Sequence, residues 1–194
     1  ADEDAFRMVG SDSEELLYRN RSFKIALIRS PWLLVNLLGG TCTGYLLWVF
    51  QATLVDQIAL VAFVPVITAM GGNVGAQSAM IVIRGFATGR IGTQDLGPTV
   101  RREAVIGVMM GSVCGGLLGL GAILWHGDPR IGLVVALAMF IAMTVAAAVG
   151  GLAPILFRRV GIDPAIAAGP FVTTANDIVG IVIYMVTATL LLGT

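Results

Sequence analysis

Charge is the scarcest commodity in this sequence. Only 12% of its 194 residues are Asp, Glu, Lys or Arg, against 57% hydrophobic residues and a mean hydropathy of +0.90. That shortage excludes an ordinary soluble domain of this size. Acids and bases balance at net zero, so nothing points to a nucleic acid or an acidic substrate. Histidine occurs once, at His126. Cysteine occurs twice, at Cys42 and Cys114, and two lone cysteines make no disulfide framework. Each is expected to behave as a small buried apolar residue. An intramembrane protease would need two embedded acids or a Ser–His pair, so the chain reads as not an enzyme. No signal peptide is visible before the first apolar run near Pro31. The chain opens at Ala1 rather than Met, and is expected to be a piece of a longer protein.

What is there is apolar sequence in long runs. Five runs, 32–55, 58–83, 104–125, 131–157 and 165–192, are each long enough to cross a hydrocarbon layer of ~30 Å at ~1.5 Å per residue. The fold class is therefore an all-α integral membrane protein with five transmembrane helices per protomer. Trp32 and Trp125 mark two of the run ends as interfacial. The sequence predicts two parts. Residues 1–30 form a linker with an amphipathic helix at about 13–29, lying on the membrane surface or serving as a solvated connector. Residues 31–194 form the five-span domain. Arg7, Arg19, Arg21, Lys24 and Arg29 precede the first run, Arg84, Arg90, Arg101 and Arg102 lie between the second and third, and Arg158 and Arg159 between the fourth and fifth. Five spans put all of these on one face and only Arg130 on the other. The positive-inside rule then makes the N-terminus cytoplasmic and the C-terminus external, in the cell (inner) membrane.

Three runs carry patterns. In the third, Gly107, Gly111, Gly115 and Gly119 repeat every four residues and predict close backbone packing. In the second, Pro65 and Gly71-Gly72 predict a weakened helix, while Asn73, Gln77 and Ser78 bring polar groups to membrane depth. Those groups either hydrogen-bond neighbouring helices or line a hydrated path. In the fifth, Gly169, Thr173, Asp177, Gly180 and Tyr184 follow helical spacing with Asn176 beside them, opposite Phe171, Ile178, Ile181, Val182 and Met185.

Asp177 is the strongest site candidate. It lies ~20 Å of helix beyond Asp163, at a depth where an acid costs at least ~2.5–3.5 kcal/mol, and no basic residue occupies the core of any run. A protonated, hydrogen-bonded Asp is one reading; a cation site on a water-filled path is the better supported one. The available donors are carboxylate, amide, hydroxyl and carbonyl oxygens, which suit Mg²⁺ or Ca²⁺ rather than Zn²⁺ or Cu⁺. Met70 leaves a softer ion such as Mn²⁺ open. A single carboxylate per chain suggests a pair across a two-fold axis, hence a homodimer with its pore on that axis.

Several strings, taken together, resemble the MgtE family of magnesium channels: Pro31-Trp32-Leu33-Leu34-Val35-Asn36-Leu37-Leu38, Met70 through Ser78, Val82-Ile83-Arg84-Gly85, Asp163-Pro164-Ala165, and Gly169 through Asp177. The resemblance implies a homodimer whose second and fifth spans line the pore, with Mg²⁺ as the bound and transported ion. The family's fifth-span acid falls on Asp177, and its second-span Gly-Gly-Asn on Gly71, Gly72 and Asn73. Gly169 stands where family members carry Asn, so a side-chain role is lost there. With Thr173, Asn176 and Gly180, these are the expected pore-lining positions. The resemblance also implies cytosolic N and CBS regulatory domains in a full-length chain, a plug-like helix at 13–29, and reduced ion-dependent gating without those domains. The rival function is a proton- or sodium-coupled secondary transporter of divalent cations, which inverted repeats would favour; the parallel between Pro65…Asn73 and Pro170…Asp177 is too weak to count.

Overall fold

The computed structural model describes residues 22–193, and all its regular elements are helical. In chain order they are α1 (Ser22–Val49), α2 (Gln51–Asp56), a 3-10 helix (Ile58–Phe63), α3 (Val64–Ala87), α4 (Leu96–His126), α5 (Pro129–Arg159) and α6 (Pro164–Leu192). Four segments are long and apolar enough to cross a bilayer: Ile58–Ala87, Leu96–His126, Pro129–Arg159 and Ala167–Leu192, of 30, 31, 31 and 26 residues. The first apolar run forms a shorter apolar helix, Leu33–Val49. Residues 13–21 of the amphipathic segment lie outside the described residues. Its remainder is not set apart from the first run, because α1 continues through Pro31 without a break.

The helix ends follow local chemistry. Asp128 begins α5 by accepting a hydrogen bond from the Arg130 N–H at 2.8 Å, and Asp163 begins α6 by accepting one from Ala165 N–H at 2.9 Å. Each is followed by a proline in the first turn, where the missing N–H would have had no helical partner anyway. Gly127 ends α4 at φ +73°, the left-handed conformation that costs glycine least.

Three expectations need correcting. The weakened helix expected at Gly71-Gly72 is not seen: α3 is an unbroken α-helix from Val64 to Ala87. Pro65 stands in its first turn, where proline is tolerated. The irregular stretch is the preceding 3-10 helix, and the hydroxyl of fully buried Tyr184 donates to the Leu60 carbonyl there at 2.8 Å. Second, the gap left between the second and third runs, 84–103, is mostly helical, since α3 runs to Ala87 and α4 starts at Leu96. Third, Cys42 is exposed rather than buried, because it lies on the uncovered side of α1; Cys114 is half-buried, and both are free.

Helix α5 is the centre of the bundle. It packs against α3, α4 and α6, and its buried positions are mostly alanine, glycine, valine and methionine. The glycine ladder of α4 lies against it as the spacing predicts. A Cβ at Gly111 would come within 2.8 Å of the Phe140 carbonyl, and one at Gly115 within 2.6 Å of the Ala136 carbonyl. The ladder extends N-terminally in the same four-residue step through Glu103 and Thr99, which are also buried. At the arginine-bearing end, the Arg159 guanidinium donates to the Thr93 carbonyl at 2.6 and 3.1 Å. That bond fixes the α3–α4 and α5–α6 connections at one end of the bundle, with Arg130 at the other.

The Tyr184–Leu60 bond supplies a direct test. Removing the hydroxyl deletes this buried hydrogen bond, so Tyr184→Phe is expected to destabilise the protein by about 0.5–1.5 kcal/mol. Tyr45→Phe, at an exposed ring, is expected to change nothing. Reversible unfolding in mixed micelles measures both, and equal effects would deny the bond a structural role.

Candidate functional site

The site is built where α3 crosses α6. The residue that sets the crossing is Gly75. A Cβ there would collide with the Asn176 amide of α6 and come within 2.9 Å of Val172, while on the other side it would stand 3.2 Å from the Ala146 carbonyl of α5. One turn further along α5, a Cβ on Gly150 would run into the Gly75 carbonyl. The α3 and α5 backbones and two α6 side chains therefore converge at a position where no side chain fits.

Asn176 is nearly fully buried, at 2% exposure, and its Nδ2 reaches back across the crossing to donate to the Gly71 carbonyl at 3.4 Å. Its Oδ1 has no partner among the described residues. Gly71 is buried in the same contact. Asn176 and Gly71 thus act as the joint between α3 and α6, set behind the more open positions.

Those open positions are Gly72, Thr173 and Asp177. A Cβ on Gly72 would stand 3.9 Å from Thr173 Cγ2 and 4.0 Å from Asp177 Oδ1, ordinary contact distances. Gly72 therefore faces both side chains across a narrow gap that its missing side chain leaves clear. Thr173 spends its hydroxyl proton on the Gly169 carbonyl at 3.0 Å, which turns its remaining lone pairs outward. Asp177 is half-buried, and among the described residues its carboxylate has neither a hydrogen bond nor an ion pair. Gly169 is half-buried a turn below Thr173, and a Cβ on buried Gly180 would meet nothing within 4 Å.

Not every expected residue joins this group. Asn73 and Gln77 are exposed, outside the buried stripe of Ile67, Gly71, Val74, Gly75 and Ser78. Tyr184 continues the spacing of the α6 stripe but is consumed in the core by Leu60. On the face expected to oppose it, Ile181 and Met185 are fully buried. Sequence reasoning missed Glu103, a second acid inside the protein at 1% exposure; its Oε1 accepts from Arg102 at 2.8 Å. The signal was its place four residues before Gly107, on the ladder. Among the described residues, no three His, Cys, Asp or Glu side chains come together as a metal cluster.

Residues 64–187, running from the start of α3 through most of α6 and containing every residue of this crossing, match the MgtE family, described as a divalent cation transporter. The chain belongs to the MgtE family. It is 34% identical over 193 residues to the magnesium transporter MgtE of Thermus thermophilus, covering 99% of this chain and 43% of that protein. It is 32% identical over 189 residues to the magnesium transporter MgtE of Bacillus subtilis, covering 97% of this chain and 42% of the relative. A third magnesium transporter MgtE, from Enterococcus faecalis, is 32% identical over 177 residues, covering 91% and 39%. The chain thus spans about two fifths of the length of these relatives. As an MgtE protein with several membrane-length apolar helices, it is a multi-pass protein of the cell membrane, in a family whose named members are transporters and not enzymes.

Two neighbouring glycines of this MgtE crossing should respond differently to the same change. Gly75→Ala is expected to cost about 1–3 kcal/mol, because the new methyl meets backbone on one side and a buried amide on the other. Gly72→Ala is expected to stay within about 0.5 kcal/mol. Denaturant unfolding in micelles distinguishes them, and equal losses would remove Gly75 as the crossing point.

Proposed function

We propose that this chain forms the pore of a passive divalent-cation channel that carries hydrated Mg²⁺, with α3 and α6 lining the path and Asp177 binding the ion. The observation that carries the reading is the Asp177 carboxylate: half-buried, unpartnered among the described residues, and facing the side-chain-free position of Gly72. A carboxylate within an apolar span calls for a counter-charge, and among the described residues no basic side chain supplies one. Mg²⁺ sheds its water reluctantly and is commonly held by one or two carboxylates through its hydration shell. Thr173, Gly169 and Gly180 offer small or oxygen-bearing positions along the same helix, and exposed Asn73 adds an amide from α3.

The reading extends to a homodimer. Pairing α6 with its symmetry mate would bring two Asp177 carboxylates to one divalent ion and would place exposed Asn73 and Gln77 towards the axis instead of towards lipid. It also takes five spans. Hydrogen bonds from Phe50 N–H to the Leu46 carbonyl and from Leu54 N–H to the Phe50 carbonyl, at 3.1 and 3.2 Å, carry the α1 helix across its turn into α2. The apolar stretch from Leu33 to Asp56 can thereby span the layer that Leu33–Val49 alone falls short of. An odd number of spans puts the N-terminus on the arginine-rich, cytoplasmic side. The relatives are more than twice as long as this chain, which fits cytosolic regulatory domains in the full-length protein.

Mg²⁺ influx into liposomes tests the proposal. Asp177→Asn keeps the shape and removes the charge, and it is expected to lower influx at least about tenfold, the equivalent of about 1.4 kcal/mol. Unchanged flux and ion selectivity would take Asp177 out of the mechanism. Wild-type flux that saturates and requires a proton or sodium gradient would replace the channel with a coupled transporter.

A further inference from the structure

At the arginine-bearing end, away from the α3–α6 crossing, α3, the α3–α4 turn and α4 enclose an open cavity of about 470 Å³ whose charged lining is entirely basic: Arg84, Arg90 and Arg102. Local backbone geometry builds it. Gly89, at φ +67°, reverses the chain after α3. The N–H groups of Arg90 and Ile91 then both donate to the Gly85 carbonyl, at 2.9 and 3.2 Å. Ile91 lies so close over Gly85 that a Cβ there would strike it. Arg90 is thereby folded back beside Arg84 on the last turn of α3.

Arg102 comes from α4 and is oriented by its neighbour. Its Nε and Nη2 both donate to the Glu103 Oε1, at 3.3 and 2.8 Å, and Glu103 itself is buried against Gly151. The other nearby acid, Asp95, directs its Oδ2 to the Gly92 N–H at 2.7 Å. Three guanidiniums against the carboxylates of Glu103 and Asp95 leave an excess of one positive charge. Among the described residues, Arg84 and Arg90 have no ion-pair partner. One turn towards the middle of α3, the wall of the same cavity is Ile81, an exposed apolar side chain on a membrane-spanning helix.

We infer that this cavity binds the phosphate of an anionic phospholipid headgroup, with the lipid's acyl chains running down the α3 surface past Ile81. Guanidinium forks match phosphate oxygens in geometry as well as charge, and basic pockets between spans at the membrane–water boundary are where such headgroups bind. The ligand chemistry is a phosphate; the apolar wall beneath the basic mouth is what selects a lipid over the free ion. The inference does not rest on the transport reading.

The test uses the whole chain, delipidated in neutral detergent, with phosphatidylglycerol and phosphatidylcholine as probes and bound lipid counted by native mass spectrometry. Each arginine facing an anionic headgroup is worth a factor of about five, so Arg84→Gln with Arg90→Gln is expected to weaken phosphatidylglycerol binding about 25-fold. Phosphatidylcholine binding should not change. Arg101→Gln, an exposed arginine at the same end but outside the cavity, is expected to behave as wild type. Millimolar inorganic phosphate should leave the lipid in place. Undiminished phosphatidylglycerol binding in the double variant overturns the inference, as does an equal loss in Arg101→Gln, which would signify diffuse attraction. Displacement by inorganic phosphate would assign the cavity to the free ion and overturn the lipid. Both substituted arginines are exposed and have no ion-pair partner among the described residues, so the double variant is expected to fold; matching phosphatidylcholine binding verifies that.

Discussion

Inside a membrane, helices gain little from hiding apolar surface from one another, so what holds them is close backbone approach and the occasional polar bond. In this protein that constraint is concentrated at Gly75, where α3 has no side chain and α5 and α6 fill the space a methyl group would need. Everything nearby follows from it. Asn176 can reach the Gly71 carbonyl only because the two helices are this close, and Gly72, one residue from that joint, can face Asp177 only because α3 is held in this rotation. The site is therefore a by-product of packing: the tight side of the crossing orients the open side.

A second consequence concerns the division of labour among acids. Asp177 and Glu103 are both removed from bulk water to some degree, yet their surroundings differ. Glu103 is buried among glycines and holds a guanidinium at 2.8 Å. Asp177 is less enclosed and has no partner among the described residues. The first arrangement satisfies its charge within the protein, whereas the second leaves the charge available. Of these two carboxylates, one on each of two helices that flank α5, only the one left unsatisfied is suited to take a mobile ion.

Much of this was legible in the sequence because the relevant signals are periodic. The four-residue glycine ladder of α4 and the second to fifth apolar runs depend on local chemistry or on lipid as solvent, and the structure has them in place. What was not legible depends on neighbours distant in the chain. Gly71-Gly72 read as a weakness because glycine has low intrinsic helix propensity, but α5 and α6 pack against α3 and keep it straight. Tyr184 kept the spacing of the polar stripe, and only the position of Leu60, 124 residues away, draws it into the core. Glu103 fell just outside the third apolar run because its charge masked a helical register that begins before it. The residues at the crossing carried their polarity in the sequence; their partners did not.

The ladder between α4 and α5 also bears on how the molecule comes together. Its contacts join two consecutive helices linked by Gly127 and Asp128 alone, so closing it costs little chain entropy. The α3–α6 joint unites residues 105 positions apart and has to wait until α6 has been made. The α4–α5 hairpin is thus suited to be the earliest stable unit in the bilayer, a preassembled wall with α5's other faces still vacant. The crossing proposed to handle the ion is then completed after that hairpin, when α6 closes upon α3.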